Sequence, residues 1–271
     1  MKTAAKLAAG AAALYLFNIK PRLTNRPAPM PKVYYAHRGL HDNGSDAPEN
    51  TLAAFRKAVE HGYGIELDVQ LTKDDRVVVA HDMHLNRICG VDQTIDSLTY
   101  GELQQYRVYG SDQRIPLLSD VLALVDGRVP LIVEIKMKDG DCHVCQRAND
   151  LLKHYKGIYC VESFHPAALR WYRKNRPEIC RGQLSTNYQK HDGRYQPVFL
   201  AMRHLQSNFL TEPDFIAYDC RDYRAVAKNL CRKLYGCPSV AWTVKSQAQL
   251  DEIRDYYDYF IFEGFLPEGE A

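Results

Sequence analysis

The chain has 271 residues, 46% of them apolar and 25% charged, with a formal net charge of +2. That length and apolar content suffice for one large core, and α/β barrels of about 250 residues commonly form a single domain. The near balance of charge excludes the general basic field that would imply a nucleic-acid partner.

Residues 1–26 differ in composition from the rest. "MKTAAKLAAGAAALYLF" has a basic start and an apolar run from Leu7 to Phe17. As a helix that run spans about 16 Å, short of a bilayer core of about 30 Å. It reads as an uncleaved signal anchor, an interfacial helix or a plain N-terminal helix. Membrane association through residues 4–18 is expected in preference to a freely soluble cytoplasmic chain. Lys20, Arg22, Arg26 and Lys32 outnumber Lys2 and Lys6, which favours a cytoplasmic domain, whereas the basic start favours export. The side of the membrane is left open. "RPAPMPK" follows, and its prolines mark residues 27–32 as a linker. Residues 33–271 are expected to form the main domain.

From Val33 onward, short apolar runs alternate with amphipathic stretches. The expected strands are "VYYAH", "GIELDV", "LIVEIK", "GIYCVESF", "ICRGQL", "FIAYD", "SVAWTV" and "YFIFEGF". "ENTLAAFRKAVEHG" places Leu52, Phe55, Ala58 and Val59 at helical spacing, with Gly62 as its stop and Pro48 and Asn50 as turn and capping signals. Eight strands separated by helices predict a TIM (β/α)8 barrel. A doubly wound open sheet would announce itself by a Gly-rich phosphate loop after its first strand, and none is present. One run breaks the alternation. "TKDDR" is too short for a crossover between "GIELDVQL" and "VVVAHD", so the latter folds back as an extra antiparallel hairpin after strand two. With a turn centred on Asp74, paired positions sum to about 148, which brings His81 beside Glu66 and Asp68. The eight cysteines are irregularly spaced in a chain too long for a small disulfide scaffold. The CxxC of Cys142 and Cys145 lacks the second ligand pair of a zinc site and a thioredoxin-like setting, and reads as a helix start.

Polar residues at the C-terminal ends of barrel strands are where function sits in this architecture. His37 and Arg38 end strand one. Glu66 and Asp68 alternate on strand two, and Glu134 and Lys136 on the otherwise apolar "LIVEIK", so each pair shares a face. The hairpin delivers His81. Carboxylates converging from neighbouring strands would repel one another without a ligand. An oxygen-rich set suits a hard divalent cation, Mg²⁺ or Ca²⁺. Arg38 offers a planar fork to a phosphate, Lys136 a second positive charge, and the two histidines a proton donor and acceptor near neutral pH. Together they describe a phosphodiester-cleaving site. Gly39 lets the chain leave the strand sharply. His41 is expected to face solvent, and His84 and Arg87 to serve local structure.

These motifs resemble the glycerophosphodiester phosphodiesterase family: "AHRG", "PENTLAAF", "IELDVQLTKDDRVVVAHDMHLNR", "IPLL", "LIVEIK", "SF" at 163–164 and "VAWTV", in order over roughly residues 33–265. The resemblance implies a TIM-barrel enzyme that hydrolyses glycerophosphodiesters to sn-glycerol 3-phosphate and an alcohol. It implies His37 and His81 as the acid/base pair and Glu66, Asp68 and Glu134 as ligands of one divalent cation. It also implies Arg38 and Lys136 as phosphate contacts and Trp242 as an aromatic near the substrate. The attacking group is then the substrate's own glycerol hydroxyl, and the intermediate a cyclic phosphate. The chain departs from the family pattern in its last strand, "FEGFLP", where Glu263 is the acid available. The stretch from Asn86 to Pro116 is short, which leaves the mouth open. A lysophospholipase D-like activity is the nearest alternative. A non-catalytic metal- or phosphate-binding barrel is the alternative of a different class.

Overall fold

A computed structural model describes residues 2–271. The nine strands are β1 (Tyr35–His37), β2 (Gly64–Leu71), β3 (Val77–Val79), β4 (Leu131–Ile135), β5 (Tyr159–Ser163), β6 (Arg181–Ser185), β7 (Phe215–Asp219), β8 (Ser239–Val244) and β9 (Tyr259–Phe262). Eight of them run parallel, and β1 pairs with both β2 and β9, so the sheet closes on itself. This is the expected TIM barrel. The ninth, β3, pairs antiparallel with the end of β2 in the register Val69–Val79, Gln70–Val78 and Leu71–Val77. Each pair sums to 148, and the Ala80 N–H donates to the Asp68 carbonyl to extend the ladder toward His81.

Alternation along the strands separates two cores. Ile65, Leu67, Val69, Val133, Ile135 and Val161 face the helices. The opposite parity faces the lumen, where Tyr35, Ile132, Cys160, Leu184, Phe215, Val240, Tyr259 and Ile261 form a second cluster. This inner cluster plugs the N-terminal half of the barrel. Residues 27–32, expected as a linker, lie across that end. Met30 is buried in the inner cluster, and the Tyr35 and Tyr259 hydroxyls donate to the carbonyls of Pro31 and Met30.

The helix Leu52–Glu60 begins at Thr51, whose hydroxyl accepts from the Ala54 N–H, and stops at His61 before Gly62. The N-cap is therefore Thr51 and not Asn50, which frees the Asn50 side chain for another use. Residues 85–115 fold over β3 as a small satellite core of Leu85, Ile88, Ile95, Leu103, Val108 and Ile115. Between β6 and β7 run the short helices Tyr188–Asp192, Pro197–Arg203 and Asn208–Thr211.

The helix Lys2–Asn18 lies outside the barrel, with residues 3–14 exposed. Its C-terminal end docks. Ile19 is buried, the Asn18 amide donates to Gln206, the Tyr235 hydroxyl donates to the Leu16 carbonyl, and Phe17 meets Phe209 at 5.5 Å. Among the described residues no helix is long and apolar enough to cross a membrane.

The lumen has no slack at Gly182. A Cβ there would land on the Phe215 ring. We expect Gly182→Ala to destabilise the fold by about 1–3 kcal/mol through overpacking. Urea unfolding followed by circular dichroism measures this, and an unchanged midpoint would contradict the packing described.

Candidate active site

The lumen-facing parity that carries apolar residues below carries charge above. His37 ends β1, Glu66 and Asp68 lie on β2, Glu134 on β4, Glu162 on β5, Asp219 on β7, Trp242 on β8, and Glu263 follows β9. His37, Glu66, Glu134, Glu162, Asp219, Trp242 and Glu263 all line one open cavity of about 510 Å³, with Arg38 and His81.

Glu66, Asp68 and Glu134 are 2%, 0% and 7% exposed, and each offers an oxygen within 4.8 Å of the others. Burial and the neighbouring carboxylates push the Glu66 carboxyl well above its ordinary range, and burial raises Glu134 despite Lys136. Asp68 goes the other way. Burial opposes its charge, but Lys136, Arg38 and the Asn50 amide hold it well below the usual range. Three buried carboxylates offering only oxygen suit a hard cation such as Mg²⁺ or Ca²⁺, so the residues present fit the metal site expected of them.

The two expected phosphate contacts are engaged with this cluster. The Lys136 Nζ sits 2.9 Å from Asp68 Oδ1 and 2.8 Å from Glu134 Oε1. Arg38 leaves β1 with φ 56°, which turns its backbone N–H onto Glu66 Oε2 at 3.0 Å. Its guanidinium donates to Glu49 at 2.8 Å and lies 3.6 Å from Asp68. Gly39 follows with φ 82°, and a Cβ there would meet Ala54 at 2.9 Å, so only glycine allows the helix to pack this close.

Each histidine has a carboxylate at Nδ1. His37 Nδ1 lies 2.5 Å from Glu263 Oε2, and His81 Nδ1 lies 2.6 Å from Asp82 Oδ1. A carboxylate only accepts, so each Nδ1 carries the proton. Both Nε2 atoms are thereby left for the pocket. Burial, and then the Arg38 charge, push the His37 imidazole down to about 4 against the pull of Glu263. Glu263 is thus the acid that steadies His37, and Lys245 holds its other oxygen at 2.7 Å.

Several residues in the site were not singled out from sequence. Glu49 is buried between Arg38 and Arg87. Burial raises its carboxyl, but the Arg87 hydrogen bonds and the Arg38 charge bring it down to about 2. Asn50 donates to Asp68 Oδ2 at 2.9 Å. "PENT" signalled a helix start, and both residues are spent on the site instead. Arg87, expected to serve local structure, donates to Asp82 at 2.6 Å and to both oxygens of Glu49, and also reaches the Tyr109 hydroxyl. It links His81 to Arg38 through two carboxylates. His41 does not face open solvent as expected. It is half-buried in the cavity wall with Nδ1 against the His37 carbonyl at 2.9 Å. His84 is exposed. Trp242 lines the cavity, where it meets Phe164 edge-on at 5.4 Å beside Leu184. Cys142 and Cys145 stand at the start of the helix His143–Leu152 and are free thiols.

Known proteins share this arrangement of strands. A glycerophosphodiester phosphodiesterase from Bacillus altitudinis is 36% identical over 163 residues, covering 55% of this chain and 64% of the relative. A lysophospholipase D from Rattus norvegicus is 35% identical over 136 residues, covering 45% of this chain and 41% of the relative. The match thus spans less than two thirds of either relative's length. Among solved structures, a glycerophosphodiester phosphodiesterase from Thermotoga maritima superposes with a TM-score of 0.65 at 26% identity, covering 87% of this chain and 96% of that one. A phosphodiesterase from Oleispira antarctica, solved with the product sn-glycerol-3-phosphate, shares the fold with a TM-score of 0.69 at 23% identity, covering 86% and 93%. The model of the glycerophosphoryl diester phosphodiesterase family matches residues 37–259, and the chain belongs to that family.

Proposed function

We propose that this chain hydrolyses glycerophosphodiesters to sn-glycerol 3-phosphate and an alcohol, using one divalent cation and the histidine pair His37 and His81. The observation that carries the reading is the pair of carboxylate-steadied imidazoles in the cavity that also holds the three-carboxylate cluster. Glu66, Asp68 and Glu134 would hold the cation, Mg²⁺ or Ca²⁺, which supplies Lewis-acid stabilisation of charge developing on the phosphoryl oxygens. Arg38 orients the diester by a planar contact and Lys136 adds positive charge beside it. His37, neutral at Nε2, takes the proton of the substrate's glycerol hydroxyl as its oxygen bonds to phosphorus. The bond from phosphorus to the alcohol oxygen breaks, and His81 gives that oxygen a proton while Asp82 stabilises its imidazolium form. Water then opens the cyclic phosphate, with the two histidines in exchanged roles.

A lysophospholipase D-like activity is the second reading. Phe164, Leu184 and Trp242 form an apolar wall on one side of the cavity. The helix Lys2–Asn18 carries exposed Leu7, Leu14 and Phe17 together with exposed Lys6, a composition suited to a membrane surface. Association of residues 4–18 with a membrane surface would accompany that reading.

His37→Ala and His81→Ala should each lower turnover of glycerophosphocholine at least about 100-fold, the scale of a positioned acid or base. Coupled assay of glycerol 3-phosphate reads this, and near-normal turnover in either variant removes the role assigned to it. Chelation with EDTA should abolish hydrolysis, and added Mg²⁺ or Ca²⁺ should restore it. Chelator-insensitive turnover would sink the cation. A panel of diesters from deacylated headgroups to lysolipids separates the two substrate readings.

The pH dependence has a definite sign. His37 must be unprotonated to act as the base, and its ring titrates at about 4 instead of 6.5. Activity is lost as pH falls through the lower value, so the acid limb of kcat/KM should lie near pH 4. A limb at 6.5 would contradict the depression of the His37 pKa by burial.

A further inference from the structure

One buried acid in the lumen has no part in the chemistry above. Glu162 is 1% exposed, and its Oε2 has no hydrogen-bond partner. It stands in register beside Glu134 across the β4–β5 ladder, so both side chains point into the barrel. It lines the same cavity as Glu66 and Glu134. A carboxylate taken out of water without a donor is costly, so this oxygen marks where a donor belongs.

The neighbouring cations are committed elsewhere. Lys136 is held by Asp68 and Glu134, Arg38 by Glu49 and Asp68, and Arg221 by Asp219. Among the described residues, only Glu66, Asp68 and Glu134 bring oxygens within 4.8 Å of one another. Glu162 stands outside that triangle, and burial, then the Glu134 and Asp68 charges, push its carboxyl well above the ordinary range. Hard cations in protein sites usually keep several waters, and groups that hydrogen-bond to a metal's ligands tune its affinity.

We propose that Glu162 is a positioning residue for the divalent cation of the Glu66–Asp68–Glu134 cluster, accepting a hydrogen bond from a water that the cation holds. The inference rests on the reading that this cluster binds a cation. Glu162 orients that water beside the cation's ligands. Replacing it weakens the cation's hold without touching any direct ligand.

Isothermal titration of the metal-free full chain with Mg²⁺ and with Ca²⁺ tests this on the wild type, Glu162→Gln and Asp68→Asn. The expected result is one site in the wild type, none in Asp68→Asn, and affinity about 10–100-fold weaker in Glu162→Gln. Circular dichroism of the metal-free Glu162→Gln should match the wild type. If the wild type binds no cation, both this inference and the cation in the proposed function fall. If Asp68→Asn loses binding while Glu162→Gln retains wild-type affinity, only the role of Glu162 falls. A rise in KM for glycerophosphocholine with unchanged cation affinity would assign Glu162 to a substrate hydroxyl and overturn the proposal. Should Glu162→Gln fail to fold, wild-type crystals soaked in Mn²⁺ decide. A water bridging the ion and Glu162 Oε2 supports it, and none overturns it.

Discussion

The mouth of this barrel is organised by one constraint: carboxylates of like charge are buried together at the ends of adjacent parallel strands. Glu66, Asp68, Glu134 and Glu162 share the lumen-facing parity and sit above an apolar plug of Met30, Tyr35, Phe215 and Tyr259. The plug shuts water out from below and weakens the screening between the charges above it. Every polar neighbour answers to that crowding. Lys136 bridges two of the acids, Arg38 turns its backbone N–H and its guanidinium onto two, and Asn50 gives its amide to Asp68. Removing one cation from such a set leaves buried charge uncompensated, which is more damaging than losing a surface ion pair.

The barrel was legible because its signals are local. Period-two alternation in "GIELDV" and "LIVEIK" separates residues facing the helices from those facing the lumen. Glu66, Asp68 and Glu134 therefore had to point inward once the neighbouring apolar positions pointed out. The hairpin register followed from turn length alone, and Thr72 closes the turn onto Arg76. What stayed hidden depends on contacts far apart in sequence. Glu49 meets Arg87 across 38 residues, and Glu263 meets His37 across 226. No periodicity encodes such pairs. Glu162 in "YCVES" had the same signature as Glu134 in "LIVEI", a lone acid in an apolar strand, and that signal was available. Capping was misplaced by one residue, because Thr51 and Asn50 are both competent caps and only the tertiary demand of Asp68 assigns Asn50 elsewhere.

The N-terminal region joins the barrel more closely than its composition implies. Proline-rich sequence reads as a spacer, yet Met30 fills the lumen's lower end and two tyrosine hydroxyls hold the carbonyls of Met30 and Pro31. Arg26 donates to the carbonyls of Tyr235 and Gly236, and Arg22 reaches the Pro177 carbonyl. These contacts fix where the chain enters the barrel, and with it the base of the preceding helix. The helix's apolar exposed half is therefore held in a set place relative to the barrel, although it shares no core with it.

The two histidines are built alike and buried differently, and this separates their chemistry. Both have Nδ1 against a carboxylate, so both are held in one tautomer. His37 lies deep beside Arg38, where burial and a neighbouring positive charge resist protonation. The His81 side chain is 35% exposed and has Asp82 tied to Arg87, away from that charge. An imidazole that resists a proton rests in the neutral form that can accept one. In the reaction proposed above, the asymmetry suits the buried ring to accept the first proton and the exposed ring to donate to the departing oxygen. The departing alcohol of that proposed reaction would then lie on the wetter side of the cavity.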